Sequence, residues 1–232
     1  MAAPEGYVER MSFNERVQHG VMFVTFTLLA ITGFLVFLPE KYVDFLGDQR
    51  EPFFEWRGHI HRVSGVLMVA ISIYHAGYLA FSERGRWHFR ELLPKMKDVT
   101  DFLQMMRHFL QKEQPPPQFG WYSYIEKAEY WALVWGTAVM AATGFMLWFE
   151  SLFPKIVLDV AVIVHQYEAI LAVLAIFVWH FYHVHWKPEV FPMSPIWLTG
   201  QMSIEELRHH HPLAYQQMIA SENAECGIRN AE

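Results

Sequence analysis

Cysteine is almost absent from this chain. Its one copy among 232 residues, Cys226, lies near the end of a polar tail, which excludes an internal disulfide, a paired-cysteine zinc site and a cysteine-ligated iron–sulfur cluster. Redox chemistry, if present, needs a borrowed cofactor. An apolar leader is also missing: MAAPEGYVERMSFNERVQHG is polar and has no apolar stretch ending in a small-residue cleavage site. No removable signal peptide is therefore expected, and the first apolar run is predicted to stay in the membrane. The formal charge of −6 sits largely in termini and loops, and no basic recognition helix is found, so nucleic-acid binding is set aside.

What the chain has in excess is apolar surface. Hydrophobic residues make up 53% and aromatic residues 16%, too much for an ordinary soluble domain of this size, so a membrane is the expected solvent. A hydrocarbon core about 30 Å thick needs roughly 20 apolar residues of helix, and four segments supply them: residues 17–38, 58–81, 128–149 and 160–186. Pro39, Pro154 and Pro188 follow the first, third and fourth runs, where a residue without an N–H cannot continue a helix. The predicted fold class is an all-α integral membrane protein, a four-transmembrane-helix bundle forming one domain over residues 1–232. Of the 18 Lys and Arg residues, Lys41, Arg50, Arg57, Arg62 and Lys155 fall on one side and the other thirteen on the side of the termini. The positive-inside rule then predicts both termini in the cytoplasm of a prokaryotic inner membrane, with residues 187–232 as a cytoplasmic tail.

Between the second and third spans, FRELLPKMKDVTDFLQMMRHFLQKE repeats Val99, Phe102, Leu103, Met106 and Leu110 at helical spacing among charges. This predicts a cytoplasmic interfacial helix over residues 89–113. AITGFLVFLPE ends the first span and AATGFMLWFES the third, an internal echo in which Thr32–Gly33 and Thr143–Gly144 are small pairs suited to close helix approach. His88, His108 and His209 to His211 are expected in cytoplasmic solvent.

Histidine is the ionisable residue that recurs in the spans, and such residues within a bilayer are costly enough to imply a function. Neutral imidazole ligates metals and haem iron, and two imidazoles on facing helices can clamp a haem inside a four-helix bundle. His61 and His75 differ by about −40° in helical rotation and roughly 21 Å in rise. His165 and His180 differ by about +60° and roughly 22 Å, whereas His183 returns to about 0° at roughly 27 Å. His59 and His185 fall about 160° and 200° from these faces and are rejected as ligands. Antiparallel pairing by depth joins His61 to His165 at the outer side, with Gly65 offering room for a flat macrocycle or for helix packing. At the inner side His19 meets His75 and either His180 or His183. A different class of protein, a transporter of divalent metal, would need broken or carboxylate-rich helices at the midplane.

The motifs ERVQHGVMFVTFTLLAITGF, HRVSGVLM, YIEKAEYWALVWGTAVMAATGFMLW, HFYHVHW and HHPLAY resemble, over residues 12–218, the di-haem cytochrome b subunit of membrane formate dehydrogenases and nickel–iron hydrogenases, a prokaryotic cytochrome b561-like family. The resemblance implies haem b groups, two or as many as three, with His61 and His165 as ligands of the outer haem and His19 and His180 of the inner. It further implies quinone as the mobile substrate, contacting the start of the third span, where Tyr122, Ser123, Glu126 and Lys127 stand; family members can have Asn at the position of Ser123. The spacing in the fourth span is 15 residues here and 14 in the formate dehydrogenase pattern, and His75 and His183 have no counterpart there. Cytochromes b of the quinol–cytochrome c type resemble the pairs 61/75 and 165/180, so His75 rivals His19, and four inner histidines could hold a further haem. The implied function is electron transfer across the bilayer between quinone and an outer-face, periplasmic iron–sulfur or multihaem cytochrome c partner in a hetero-oligomeric complex. The outer loops, residues 39–57 and 150–159, are short, so no catalytic residue of the chain's own is assigned. A stand-alone quinol oxidoreductase is the other quinone-linked reading. Arg16, Arg57 and Arg62 flank ligands and could pair with haem propionates. Glu126, Glu129 and His183 are candidate proton carriers, and Glu168, one turn from His165, could tune the outer haem.

Overall fold

Four helices carry the long apolar runs in the computed structural model of the protein, which describes residues 6–111 and 115–229. α1 spans Phe13–Phe34, α2 Arg50–Phe81, α5 Tyr124–Trp148 and α6 Lys155–Leu174, the last continuing as π-helical segments Ala175–His180 and Tyr182–Trp186. With their flanking turns, all four are long and apolar enough to cross a membrane. Helix accounts for 81% of the structure, which establishes the all-α membrane class. The helices begin before the apolar runs do, α2 by eight residues and α1 by four. Apolarity marks only the hydrocarbon part of a span, and polar first turns are helical too.

The contacts group into two compact units. One, the span unit, holds residues 13–78 and 132–194, and therefore α1, most of α2 and α5, and all of α6 with its π-helical continuation. Its interior is polar and its exterior greasy. The buried residues include Gln18, Thr25, Thr32, Ser64 and Thr143 beside Met68 and Ala161, while Ile73, Trp135, Leu171 and Val178 are exposed. In lipid, tight helix contacts favour small and hydroxylated side chains, because tails outside are as apolar as any core.

The other, the terminal unit, gathers residues 6–12, 79–131 and the chain from 195 onward. β1, Tyr7–Glu9, pairs antiparallel with β2, Gln201–Ser203. Leu207, fully buried, packs with Met202 and Ala214 against Val8, Trp121 and Ile196. The predicted interfacial helix is two helices, α3 Glu83–Leu92 and α4 Met96–Gln111. Pro94 forces the break: Leu93 before it adopts an extended conformation, with ψ of 136°, as a residue preceding proline must. Ser82 caps α3 by accepting from Gly85 N at 2.8 Å. Residues 112 and 113 of the predicted helix lie outside the described residues. The tail adds α7 Ile196–Thr199, α8 Ile204–His210 and α9 Pro212–Arg229.

Arg10 ties the terminal unit together. Its buried guanidinium donates to Glu126 Oε1 at 2.7 Å and lies 4.8 Å from the ring centres of both Trp121 and Tyr122. Two histidines expected in solvent are buried here. His88 hydrogen-bonds Tyr122 Oη at 2.7 Å, and His211 Nδ1 donates to Gly120 O at 2.8 Å. Both are enclosed by partners distant in sequence, which their own polar neighbourhoods conceal. Burial pushes the His211 imidazole below its ordinary pKa of 6.5, with Arg10 acting in the same direction against the opposing pull of Glu126. A depressed histidine stabilises the fold fully above its unfolded pKa, and that contribution is lost as pH falls through the folded value. Burial acts oppositely on Glu206, raising its pKa, so its contribution is complete in acid and is lost on raising the pH. The His211 contribution should therefore show as a difference between two proteins: between about pH 7 and about 5, amide hydrogen exchange of residues 200–218, corrected for intrinsic rates, should be speeded by acid more in the wild type than in His211→Asn.

Candidate functional site

The span unit brings His61 of α2 and His165 of α6 together, their ring centroids 6.4 Å apart and their planes inclined at 64°. Each ring is seated in the same way. Thr32 Oγ1 lies 2.8 Å from His61 Nδ1, and Thr143 Oγ1 lies 2.8 Å from His165 Nδ1. The adjacent glycines leave space for the imidazoles: a Cβ on Gly33 would stand 3.6 Å from His61 Cε1, and one on Gly144 would stand 3.4 Å from His165 Cε1. The Thr–Gly echo in the sequence, suited to helix packing, therefore receives two histidines. Gly65 faces Leu29, whose Cδ2 would be 3.9 Å from an added Cβ.

Charge surrounds this pair. Arg57 Nη1 donates to Thr32 O at 2.9 Å, and Arg57 and Arg62 both lie within electrostatic reach of His61. The Arg62 guanidinium also covers Trp148 at 5.8 Å. Glu168, one turn along α6 from His165, occupies the notch left by Gly136, where a Cβ would come within 2.7 Å of Oε1. Any side chain at position 136 would displace that carboxylate.

Further along the helices, His19 of α1 and His180 of the π-helical segment are within electrostatic reach of each other. The π geometry bears on their register. Phe181 N bonds to Ile176 O and Lys187 N to Tyr182 O at 2.8 Å, both five residues back. A π turn takes up one residue more than an α turn, and the segment Ala175–His180 places such turns within the 15 residues that separate His165 from His180. His75 Nδ1 donates to Gln18 Oε1 at 2.7 Å, because the Gln18 amide is oriented by donating from Nε2 to Asn14 Oδ1. Asn14 Nδ2 in turn donates to Tyr74 Oη at 2.7 Å. His183 Nδ1 donates to Trp179 O at 2.9 Å. His59 stands exposed beside Glu55, and His185 Nδ1 reaches Pro192 O at 3.3 Å. A cavity of about 310 Å³, lined by Phe13, Asn14, Val17, Gln18, Ile71 and Tyr74, opens beside the His75 chain.

The four residues expected at the quinone lie in the terminal unit and are bonded within it. Ser123 and Glu126 form a reciprocal capping box at the start of α5: Ser123 N donates to Glu126 Oε2 at 2.8 Å, and Glu126 N to Ser123 Oγ at 3.2 Å. Lys127, nearly buried, bonds Asp98 Oδ1 at 2.8 Å, and Tyr122 holds His88.

Whether an iron porphyrin suits the outer pair is a question of distance. Each imidazole contributes a metal–nitrogen bond of about 2 Å and a ring radius of about 1 Å, so two rings on opposite faces of one iron stand about 6 Å apart. The observed 6.4 Å fits. Among the described residues no group of three or more His, Cys, Asp or Glu side chains could hold a metal ion.

A bundle of four membrane-spanning helices with imidazoles paired between them is the framework of a b-type cytochrome. Residues 10–214 match the model of the prokaryotic cytochrome b561 family, and the chain belongs to that family. It is a multi-pass inner-membrane b-type cytochrome that functions in electron transfer and binds haem b. It is similar to the cytochrome b556(Fdn) subunit of the nitrate-inducible formate dehydrogenase of Escherichia coli, with 23% identity over 226 residues covering 93% of each chain. It is likewise similar to the formate dehydrogenase cytochrome b556 subunit of Haemophilus influenzae, with 22% identity over 212 residues, 89% of this chain and 81% of that one.

Gln18 and the hydroxyls of Thr32 and Thr143 escaped sequence reasoning as site residues. The signal existed in the repeated Thr–Gly pair, which lies at the depth of His61 and His165. Replacing Gly144 by Val should push the His165 ring aside and lower the haem bound per protein, since overpacking forces neighbouring side chains to move. Gly20→Val, whose Cβ meets nothing within 4 Å, should leave haem content unchanged in the same pyridine haemochrome assay.

Proposed function

We propose that the chain is the haem-carrying membrane subunit of a quinone-linked oxidoreductase, with two haem b groups, one between His61 and His165 and one between His19 and His180. The observation that carries this reading is the 6.4 Å separation of His61 and His165 on matched Thr–Gly seats. The proximity of His19 and His180 supports the inner pair. His75, held by Gln18, and His183, turned to its own backbone, then act beside that pair as tuning or proton-exchanging groups.

Bound haem supplies a one-electron iron couple, and two histidines per iron leave no open position for oxygen. The protein residues orient and bias that couple. Arg57 and Arg62 offer cationic partners for propionates beside His61, and Thr32 O anchors Arg57 in place. With both termini cytoplasmic, as the Lys and Arg distribution favours, His61 and His165 lie toward the outer face and His19 and His180 toward the inner. Electrons then pass between an outer-face redox subunit, iron–sulfur or multihaem, and a quinone at the cytoplasmic side. The relatives named as formate dehydrogenase subunits support such an assembly. Tyr122, Ser123, Glu126 and Lys127 are the proposed quinone contacts, with Glu126 and Glu129 near the cytoplasmic ends of the spans as proton carriers.

Haem quantification and redox titration of the purified protein test this. His61→Ala and His165→Ala should each remove about half of the haem, the same titrating component in both, since neutral imidazole from both helices is needed to hold one iron. His19→Ala and His180→Ala should remove the other component. His75→Ala and His183→Ala should retain both. Loss of different components from His61→Ala and His165→Ala, or three haems per chain, would refute the assignment.

A further inference from the structure

The two hydroxyls beneath the outer imidazoles have a fixed sense of donation. Thr32 Oγ1 lies 2.6 Å from Leu28 O as well as 2.8 Å from His61 Nδ1, and Thr143 Oγ1 lies 2.7 Å from Val139 O as well as 2.8 Å from His165 Nδ1. A hydroxyl has one proton and two lone pairs, and a carbonyl oxygen only accepts. Each threonine therefore spends its proton on its own helix, four residues back. The remaining bond must run from imidazole Nδ1–H to the hydroxyl oxygen, with the Leu29 backbone also in hydrogen-bonding reach of the His61 ring, and this tautomer keeps a lone pair on Nε2 of each ring.

We propose that Thr32 and Thr143 are positioning residues that lock the tautomer and the ring planes of His61 and His165 and thereby set the reduction potential of the iron held between them. The proposal rests on the ligand assignment above. Donation from Nδ1–H raises the basicity of the ligating nitrogen and favours the oxidised metal, and a hydroxyl already donating to a carbonyl is the better acceptor for it. The two tethers also come from different helices, α1 for His61 and α5 for His165. Neither ring can turn toward its partner without breaking a bond, so the 64° inclination is held from both sides. An iron held between rings so inclined would have its two π-type d orbitals close in energy and would give a strongly anisotropic electron paramagnetic resonance signal. Thr25 provides an internal control. It is buried in the same helix and donates to Val21 O at 2.8 Å, with Met68 Sδ as its other neighbour and no imidazole.

The test uses the full-length haem-loaded protein in detergent and reads redox titrations, low-temperature paramagnetic resonance and haem content for Thr32→Val, Thr143→Val, the corresponding Ser and Ala variants, and Thr25→Val. Each Val variant should favour reduction of one haem about threefold, about 30 mV at 59 mV per tenfold for one electron, and should lessen the anisotropy of that haem's signal. The Ser variants and Thr25→Val should superpose on the wild type. Val variants that load haem normally and match the wild type in potential and signal would overturn the proposal. If Val impairs loading, the Ser and Ala variants decide: Ser at the wild-type potential with Ala shifted upward supports it, and equal potentials overturn it. A wild type without haem, or His61→Ala with both haems retained, defeats the ligand assignment instead.

Discussion

A polar ring inside a bilayer has no water to fall back on, and this governs the span unit. Every imidazole nitrogen there must find a partner in the protein or in what the protein binds, because an unsatisfied polar group in hydrocarbon costs several kcal/mol. His61 and His165 meet the requirement on one side with a threonine each. In the proposed ligation their other nitrogens would complete it by holding the iron. The consequence reaches into the helices themselves: a threonine lies beside each ring, a glycine follows it against the ring edge, and both recur on the other side of the pair. The repeated Thr–Gly is the trace of that demand in the primary structure.

The same solvent explains why the interior of the span unit is its polar part. Gln18, Thr25, Ser64 and Thr143 are buried while large apolar side chains face outward, an arrangement that would precipitate a soluble protein. Side-chain hydroxyls bond to carbonyls one turn back, as Thr25, Thr32, Ser72 and Thr143 all do, so they need nothing from a neighbouring helix and leave it free to approach closely. Gly136 lets the Glu168 carboxylate lie against α5. Position and charge are thus set by what is left out as much as by what is present.

Legibility in the sequence followed the range of the interactions. The four spans could be read because hydrocarbon thickness demands long apolar runs, and the approach of His61 to His165 agrees with a rise of about 1.5 Å and a turn of about 100° per residue, whereas the π-helical Ala175–His180 departs from that turn before His180 is reached. Their ends could not be read, since α2 starts among Arg50, Glu51 and Glu55, which composition assigns to a loop. Pro94 was visible, yet the apolar periodicity on both sides of it suggested one helix where there are two. The π-helical stretch leaves no compositional mark. β1 and β2 are three residues each and 190 or more positions apart, and the burial of His88 and His211 depends on Tyr122 and Gly120, so no local pattern announces either. The threonine seats fall between these cases: the repeated Thr–Gly is plain in the sequence, but helix packing explains it equally well until the rings are placed on it.

Pairing of Tyr7–Glu9 with Gln201–Ser203 has a bearing on biogenesis. The earliest stretch to leave the ribosome finds its strand partner only after the fourth span has been made, and Arg10 waits for Gly200 O to accept its backbone N–H at 2.8 Å. The terminal unit is consequently among the last parts of the chain to close, however early its first residues appear. A chain stalled before residue 200 would therefore carry all four spans with the terminal unit still open, and such partly folded states are the ones exposed to proteolysis.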